Sequence, residues 1–361
     1  MNILFLAAEA NPFIKIGGLA DVAGSLPGAL RSLNPEDIGR QVLDVRLVIP
    51  LYKNIKKLNN ISPLTEFHIC KNGHQLPVQA FKWIEEGVPV YFIDGDPINN
   101  DENVYSSNGE NNQDKFAFFS MAALELARNL NWKVDVIHAN DWHTSLALYS
   151  AKTNKWDGYF EKTSRILTIH NLPYLGGEGG DLFKDYGINE LMDEDLPVWA
   201  RNQILPMGIW AADKIVAVSE TYSKEIMTPD FGCGLHDYLK KRKNDISGII
   251  NGLDQDLWNP VKDNYLSNKY NFDSLEEKKE NKNKLLKELK LTIDPSIPLI
   301  GMVTRIDYQK GIDLTIKALQ NLSEKPWQLV LLGTGDPYIE AALNQLQAEF
   351  PDKVRVLLKF D

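Results

Sequence analysis

The chain has 361 residues, and at roughly 150 residues per domain this length predicts two domains rather than one. Its 49 acidic residues outnumber its 39 basic ones, and the resulting net charge of −10 argues against nucleic acid or an anionic membrane surface as a partner. Hydrophobic residues make up 43% of the chain and aromatic residues 10%, which excludes a disordered protein.

The chain starts with MNILFLAAEA, which we interpret as a buried first strand. It lacks the basic region that opens a signal peptide, and Glu9 and Asn11-Pro12 interrupt its apolar run. No apolar run approaches the roughly 18 to 20 residues of a membrane-spanning helix. We therefore expect a soluble, cytoplasmic protein, or a plastid protein if the source is a plant, although no transit peptide is present.

Six short runs rich in Val, Ile, Leu and Phe recur along the first part of the chain, with stretches of helical character between them. They are continuous rather than alternating, which is typical of strands covered on both faces in a parallel sheet. The predicted strands are 2–7, 45–49, 89–93, 134–139, 165–169 and 214–218. This pattern predicts an α/β fold whose first domain is doubly wound and Rossmann-like.

A second series of apolar runs follows, at residues 246–250, 298–303, 328–332 and 354–358. Between the two series lies the polar stretch 263–290. Its core, SLEEKKENKNKLLKELKL, has leucines at helical spacing, which predicts a solvent-facing helix rather than a linker. We place the hinge near Asn251-Gly252. The first domain would span 1–250, and a partial second Rossmann-like domain would span 251–361.

Loops and cysteines give two further expectations. Segments 99–113 and 176–180 are rich in Asn, Asp, Ser or Gly, and we predict that both are mobile surface loops. Cys70 and Cys233 lie far apart without CxxC spacing, so we expect reduced thiols and neither a zinc knuckle nor a disulfide.

The end of the chain also carries an expectation. The last apolar run is followed directly by Phe360-Asp361, with no helix to cover it. Half of a doubly wound sheet would leave a bare hydrophobic edge and an unfinished core. We expect that the natural chain continues, or that the second lobe is poorly stable alone.

In doubly wound folds ligands bind beyond the carboxyl ends of the strands, so functional residues are sought directly after each apolar run. The segment Lys15-Ile16-Gly17-Gly18-Leu19-Ala20-Asp21 follows the first run and opens a predicted helix, LADVAGSLPGAL. Paired glycines let the backbone approach a ligand, a helix N-terminus offers N–H groups to an anion, and Lys15 adds a full charge. This chemistry suits a diphosphate, although an ordinary loop–helix junction can have the same composition.

Two further segments follow the fourth and fifth runs. In His138-Ala139-Asn140-Asp141-Trp142-His143, Asp141 could simply cap the next helix, and either histidine could be a hydrogen-bonded core residue. The i, i+5 spacing puts the two histidines on different helical faces, which argues against zinc. Thr168-Ile169-His170-Asn171 leaves an imidazole and an amide near Tyr174, groups that suit a sugar, or else a buried pair that braces the loop.

The second series carries two segments of its own. Arg305-Ile306-Asp307-Tyr308-Gln309-Lys310-Gly311 has two cations at the mouth of a helix, which could neutralise charge on a departing nucleoside diphosphate. A solvated basic loop is the alternative. Gly333-Thr334-Gly335-Asp336 ends the next strand and by itself indicates only a tight turn.

Together and in order, these segments resemble the bacterial glycogen synthase and plant starch synthase family. KIGGLADV is similar to the family's KxGGLADV loop, HANDWHT to its HxxDWHxx segment, LTIHNLPYLG to HNLAYQG, and VTRIDYQKGIDL to SRLxxQKGxDL. ADKIVAVSETYSKEI and SGIINGLDQDLWNP resemble further family stretches, so the resemblance covers essentially the whole chain. It implies the GT-B architecture of two Rossmann-like lobes, with the second lobe incomplete.

The resemblance implies an activity as well. The enzyme would transfer α-glucose from ADP-glucose to the 4-hydroxyl at the non-reducing end of an α-1,4-glucan such as glycogen or a starch primer. The configuration would be retained, and neither a metal nor another cofactor is expected.

Roles for single residues follow from the resemblance in the same way. The donor's phosphates would face Lys15, Gly17 and Gly18. The sugar and acceptor side would be lined by Asp21, Asp141, His170 and Asn171, with His170 near the reacting centre. The leaving diphosphate would be stabilised by Arg305 and Lys310, and the nucleotide would lie close to Gly335 and Asp336. The expected catalytic residues are His170, Asp141, Arg305 and Lys310.

The chain departs from the family pattern in two places. Pro173 and Leu175 stand where HNLAYQG has Ala and Gln, so this loop could hold the donor or acceptor differently. The family's later PSRFEPCGLTQ segment, with a donor-contacting Glu, and its TGGLxDTV segment have no counterpart before Asp361. We therefore expect little or no synthase activity from the 361-residue chain itself.

Three other functions stay open on the sequence alone. A nicotinamide-dependent oxidoreductase would share the fold, but it needs GxGxxG after the first strand and an acidic residue after the second, where Ile49-Pro50-Leu51-Tyr52 stands. Another nucleotide-sugar glycosyltransferase, such as a sucrose-type synthase, is also consistent, because no motif identifies the base. The third is a non-catalytic glucan-binding fragment.

Overall fold

The chain folds into two units, each of which has its own cluster of buried apolar side chains. The computed structural model describes residues 1–83, 87–100, 103–106, 108–154 and 156–359. Its compact units are Met1–Gly252 and Leu253–Asp361. The division falls at the second residue of the predicted hinge, Asn251-Gly252.

One mixed sheet forms the centre of the first unit. Within the described residues it has nine strands, in the order β3-β4-β5-β2-β1-β6-β7-β8-β9. The strands are β1 (Asn2–Leu6), β2 (Asp44–Pro50), β3 (Ile61–Lys71), β4 (His74–Trp83), β5 (Val90–Asp94), β6 (Val136–Asn140), β7 (Ser164–Ile169), β8 (Lys214–Ala217) and β9 (Ile246–Gly248). In this order, neighbouring strands from β5 through β2, β1, β6, β7 and β8 to β9 are parallel. Strand β4 pairs antiparallel with both β3 and β5.

Helices alternate with the parallel strands, which confirms the predicted α/β class. They are α1 (Gly18–Arg31), α2 (Asp96–Asn99), α3 (Gly109–Asn129), α4 (Trp142–Thr153), α5 (Gly180–Asp185), α6 (Ile204–Ala211), α7 (Glu220–Glu225) and α8 (His236–Lys241). Short 3-10 helices lie at Pro35–Ile38, Ile55–Lys57, Trp156–Gly158, Val198–Ala200 and Lys243–Asp245. Helix α4 is buried from Trp142 to Ala151, and a helix without an exposed face lies in the core. Because α4 begins directly after β6, no long loop separates this buried helix from the carboxyl end of the strand.

The second unit is a smaller α/β layer. Its described residues form a parallel three-stranded sheet, β10-β11-β12, with strands Leu299–Val303, Gln328–Gly333 and Val354–Leu358. Its helices are α9 (Glu277–Glu288), α10 (Ile312–Asn321) and α11 (Pro337–Glu349), with 3-10 turns at Phe272–Ser274 and Tyr308–Lys310. Helix α9 is largely exposed apart from Leu286, which confirms the predicted solvent-facing helix.

Two predictions about strands were wrong. The run 246–250 does not open the second series, because β9 pairs in parallel with β8 and completes the first sheet. The hairpin of β3 and β4 was missed because these strands lie outside the parallel core and their burial alternates, so they lack a continuous apolar run.

Parts of both segments predicted as mobile loops form defined structure. Helix α3 already begins at Gly109, and Asn108 accepts a hydrogen bond from the Glu110 N–H at 2.9 Å, while residues 101–102 and 107 lie outside the described residues. A Cβ on Gly176 would come within 2.7 Å of Trp142, and one on Gly179 within 2.1 Å of Phe183. These glycines therefore serve close packing.

Candidate functional site

The loop after β1 is shaped by a buried carboxylate, Glu9, which is 2% exposed. Its Oε2 accepts hydrogen bonds from the backbone N–H groups of Ile16 and Gly17, the latter at 3.1 Å. The Tyr105 hydroxyl donates to Oε1 at 3.2 Å. The Gly17 amide is therefore occupied and is not one of the free N–H groups that this helix N-terminus is expected to offer to an anion.

Lys15 and Asp21 lie beside each other at the start of α1. The Lys15 ammonium contacts Asp21 Oδ1 at 2.8 Å, and both side chains are more than a third exposed. A Cβ placed on Gly18 would meet nothing within 4 Å. The outer surface of this loop thus presents one cation, one carboxylate and an unobstructed stretch of backbone.

Asp141 is buried at the end of β6 and has a left-handed backbone, with φ +53°. Its Oδ1 accepts the His170 N–H at 2.7 Å and the Asn171 N–H at 3.3 Å. The side chain makes no capping bond to α4, so the alternative of a simple helix cap was wrong. The carboxyl group instead holds the backbone that carries the imidazole and the amide.

The tautomer of His170 follows from its neighbour Asn140. The Asn140 side-chain N–H donates to the Leu6 carbonyl at 2.9 Å, so its Oδ1 is the atom 3.0 Å from His170 Nε2. A carbonyl oxygen only accepts, and Nε2 therefore carries the proton, which leaves Nδ1 as an acceptor. This network links the ends of β1, β6 and β7, which are neighbours in the sheet.

Burial moves the pKa values of these groups in opposite directions. It raises the pKa of Asp141 to about 7, against the two backbone hydrogen bonds and with a smaller contribution from the Glu9 charge. It lowers the pKa of His170 to about 4, so the imidazole is neutral at physiological pH.

The other two histidines near this edge make contacts within the fold, with His138 partly buried and His143 buried. His138 Nε2 lies 2.8 Å from the Thr168 hydroxyl, and burial lowers the pKa of this ring to about 4. The ring of His143 packs against Trp142 and Phe116, with its Nδ1 buried and without a hydrogen-bond partner in the described part of the chain. Among the described residues no three His, Cys, Asp or Glu side chains are grouped to hold a metal ion, and both cysteines are free thiols.

The loop that follows His170 is tied down from both sides. The Leu172 N–H donates to the Tyr222 hydroxyl at 2.9 Å, and the Leu205 N–H donates to the Leu175 carbonyl at 2.9 Å. Pro173 and Tyr174 are exposed, so the departure from the family pattern at position 173 and the aromatic ring of Tyr174 both face solvent.

In the second unit, Arg305 precedes the 3-10 turn before α10, and Lys310 is the last residue of that turn. Asp307 accepts the Lys310 backbone N–H at 3.1 Å and pairs with the Arg305 guanidinium at 3.3 Å. In the described ranges no carboxylate pairs with the Lys310 ammonium. Both cations lie on the surface, where they are available to an anion.

Gly335 and Asp336 have structural roles at the turn after β11. The Asp336 carboxylate accepts the Tyr338 and Ile339 N–H groups, which makes it the cap of α11. A Cβ on Gly335 would come within 2.1 Å of the Ile306 carbonyl, so only glycine fits there. The turn is thus packed against the residue that follows Arg305.

Within the first unit the structure gathers the predicted residues at the carboxyl ends of β1, β6 and β7. Sequence reasoning missed Glu9, Asn140, Tyr105 and Tyr222. Glu9 and Asn140 could have been found by the rule applied to the others, because both lie at or just after the end of an apolar run. Tyr105 and Tyr222 are separated from the strands they serve and have no comparable signal.

Comparison with known proteins agrees with this arrangement. A family model described as the starch synthase catalytic domain matches residues 2–241. A glycogen synthase of Clostridium beijerinckii is 34% identical over 373 residues, and one of Syntrophotalea carbinolica is 36% identical over 370 residues, in each case covering 100% of this chain and 75% of the relative. The chain belongs to the glycogen and starch synthase family.

A solved structure extends the likeness to the fold. The catalytic domain of starch synthase IV from Arabidopsis thaliana, bound to ADP and acarbose, superposes with a TM-score of 0.86 at 29% identity. The match covers 99% of this chain and 74% of the other. The protein is therefore a GT-B glycosyltransferase of a family that uses a nucleotide-sugar donor and a glucan acceptor, and the oxidoreductase alternative was wrong.

The structure also bears on membranes. Among the described residues no helix is both long and apolar enough to cross a bilayer.

Proposed function

We propose that this family member uses ADP-glucose and adds its α-glucosyl group to the non-reducing 4-hydroxyl of an α-1,4-glucan, with retained configuration and without a metal or other cofactor. The observation that carries the proposal is the network of Asp141, His170 and Asn140 at the carboxyl edge of the sheet. It presents a neutral imidazole and the Asn171 amide, groups that hydrogen-bond sugar hydroxyls without adding charge. The relatives named glycogen synthase and the neighbour bound to ADP and acarbose support the choice of ligands.

The residues of the first unit divide into two groups in this proposal. Asp141 positions His170 and Asn171, and these with Asp21 line the sugar and acceptor side. Lys15 and the open backbone at Gly18 meet the donor's phosphates, whereas Gly17 contributes shape because its amide is bound to Glu9.

The residues of the second unit act on the leaving group. When the bond between glucosyl C1 and the phosphate oxygen breaks, the bonding electrons stay with ADP, and Arg305 and Lys310 stabilise the added charge. A bond forms between C1 and the acceptor O4, and the proton of that hydroxyl passes to the diphosphate. Gly335 and Asp336 hold the turn near the nucleotide.

A donor panel tests the proposed substrate. Calorimetric titration with ADP-glucose, UDP-glucose and GDP-mannose is expected to show ADP-glucose binding at least tenfold more tightly, because the base is part of the recognised group. Transfer of labelled glucose to glycogen, assayed in a chain that also carries the family's two later segments and followed by release with an α-1,4-specific glucosidase, tests the linkage. Tighter binding of UDP-glucose would contradict the donor assignment and favour the sucrose-type alternative.

The Lys15→Ala variant tests the phosphate contact. Loss of a charge-assisted contact predicts at least tenfold weaker ADP-glucose binding, while the fold stays intact because an exposed ion pair contributes at most about 1 kcal/mol. Lys214→Ala is the matched control, since Lys214 also pairs with an aspartate, at 3.0 Å, but lies at the start of β8. Equal donor affinity in the two variants would remove Lys15 from the site.

A further inference from the structure

The buried carboxylate of Glu9 is not part of the proposed contacts with substrate, yet it touches the segment that carries them. A carboxylate taken out of water needs hydrogen-bond partners, and among the described residues those of Glu9 include three donors: the Ile16 N–H, the Gly17 N–H and the Tyr105 hydroxyl. Two of the three belong to the residues between Lys15 and Gly18. The loop backbone therefore holds the Glu9 carboxylate in place, and the carboxylate in turn holds the loop backbone.

The surroundings hold Glu9 in place from the other side. Burial, and then the negative charge of Glu9, raise the pKa of Tyr105 well above its usual range, so the phenol stays protonated and donates. The segment that carries Tyr105 is anchored by the buried Lys115, whose ammonium donates to the carbonyls of Asn103 and Val104 at 2.9 and 3.1 Å. Tyr52 donates to the Ala8 carbonyl at 2.8 Å, next to Glu9 in the chain.

We infer that Glu9 is a positioning residue for the donor site: by accepting both loop N–H groups it fixes the backbone from Lys15 to Gly18, so that the lysine and the open face of Gly18 are arranged before the diphosphate arrives. The inference rests on the proposed phosphate-binding role of this loop. Pre-arranged groups bind more tightly because the ordering is complete before binding. Glu9 acts through the loop and does not itself contact the donor, whose phosphates its charge would repel.

The two loop hydrogen bonds are tested in the ligand-free 361-residue chain by amide hydrogen exchange. In Glu9→Ala, exchange at Ile16 and Gly17 is expected to be about tenfold faster than in the control Glu36→Ala, which removes an exposed carboxylate elsewhere in the unit. Glu9→Gln keeps an oxygen acceptor in the same place and should stay within about threefold of the unaltered chain. Equal protection in Glu9→Ala and Glu36→Ala would overturn the inference.

Binding of ADP, measured by calorimetry on the same variants, separates positioning from a merely structural role. We expect about tenfold weaker binding in Glu9→Ala and recovery of most of that loss in Glu9→Gln. Faster loop exchange with unchanged ADP affinity would also overturn the inference. Absence of ADP binding in the unaltered chain would instead contradict the proposed donor, while the exchange result would still decide whether Glu9 sets the loop.

A second variant covers the case in which Glu9→Ala does not fold. Tyr105→Phe removes one hydrogen bond to Glu9 and leaves the carboxylate, so exchange at Ile16 and Gly17 should rise about threefold. Its control is Tyr159→Phe, which removes a hydroxyl that donates to the Ala127 carbonyl at 3.1 Å in another part of the unit. Identical loop exchange in these two variants would count against the inference.

Discussion

The ionisable residues at the carboxyl edge of the first sheet differ from their unfolded counterparts in how many protons they bind. Burial lowers the pKa of His138, His143 and His170 to about 4, 3 and 4, so between pH 4 and 6.5 the unfolded chain gains up to three protons that the folded chain lacks. Asp141 has the opposite sign, because its raised pKa of about 7 keeps one proton on the folded chain over the same range. The net difference of about two protons means that stability falls as pH falls.

Acid sensitivity is therefore predicted for the first unit. Its unfolding free energy should drop by on the order of 2 kcal/mol per pH unit between pH 6.5 and 4, as measured by denaturant titration at several pH values. His143→Phe should reduce this slope by about half, because it removes one of the three unprotonated rings and places an apolar ring between Phe116 and Trp142. His74→Gln, at an exposed position, should leave the slope unchanged. Equal slopes in the two variants would show that His143 is not the group that titrates.

Close approach of two backbone segments requires glycine at position 335, in the turn after β11. Gly335→Ala would place a Cβ within 2.1 Å of the Ile306 carbonyl, so we predict a loss of about 2–3 kcal/mol in the stability of the second unit. Gly301→Ala is the control, because a Cβ in β10 at that position meets nothing within 4 Å. Thermal unfolding of both variants gives the comparison, and a Gly335→Ala chain as stable as Gly301→Ala would contradict the packing argument.

The strands that could be predicted from the sequence are those whose apolar runs are continuous, and in the first sheet β1 and β2 are buried along most of their length. Helix α4 was likewise signalled by the apolar stretch after Asp141. The hairpin of β3 and β4 could not be recognised in this way, since it lies at the edge of the sheet and includes Pro63 and Pro77. What distinguishes the hairpin from the other strands is antiparallel pairing. This pairing depends on the partner strand and not on local composition.

For the site, the sequence led to residues directly after strands but not to the contacts that hold them. A helix cap is one role that the sequence leaves open for Asp141, whereas in the structure its side chain bonds to the backbone 29 residues later. Gly176 was expected to give mobility, yet its φ of +85° and its contact with Trp142 give close packing. Both outcomes depend on which loops meet at the carboxyl edge, and that is decided by the order of strands in the sheet.

The two units differ in how completely their strands are covered. In β1 the residues from Leu4 to Leu6 are at most 2% exposed, whereas Val303 at the end of β10 is 78% exposed and Leu358 of β12 is 37% exposed. Apolar area removed from water is the main stabilising term in folding, so the second unit should be the less stable of the two. Their separate cores also predict that they unfold separately.

Calorimetry of the 361-residue chain is accordingly expected to show two transitions, with the second unit unfolding at the lower temperature. Leu343→Ala removes a fully buried side chain of the second core, at a cost of about 2–5 kcal/mol, and should lower only the first transition. Leu146→Ala is its counterpart in the first core, where the side chain is 1% exposed, and should lower only the second. A single transition that both variants shift equally would mean that the two cores unfold as one, since a loss of packing in either would then destabilise the whole chain.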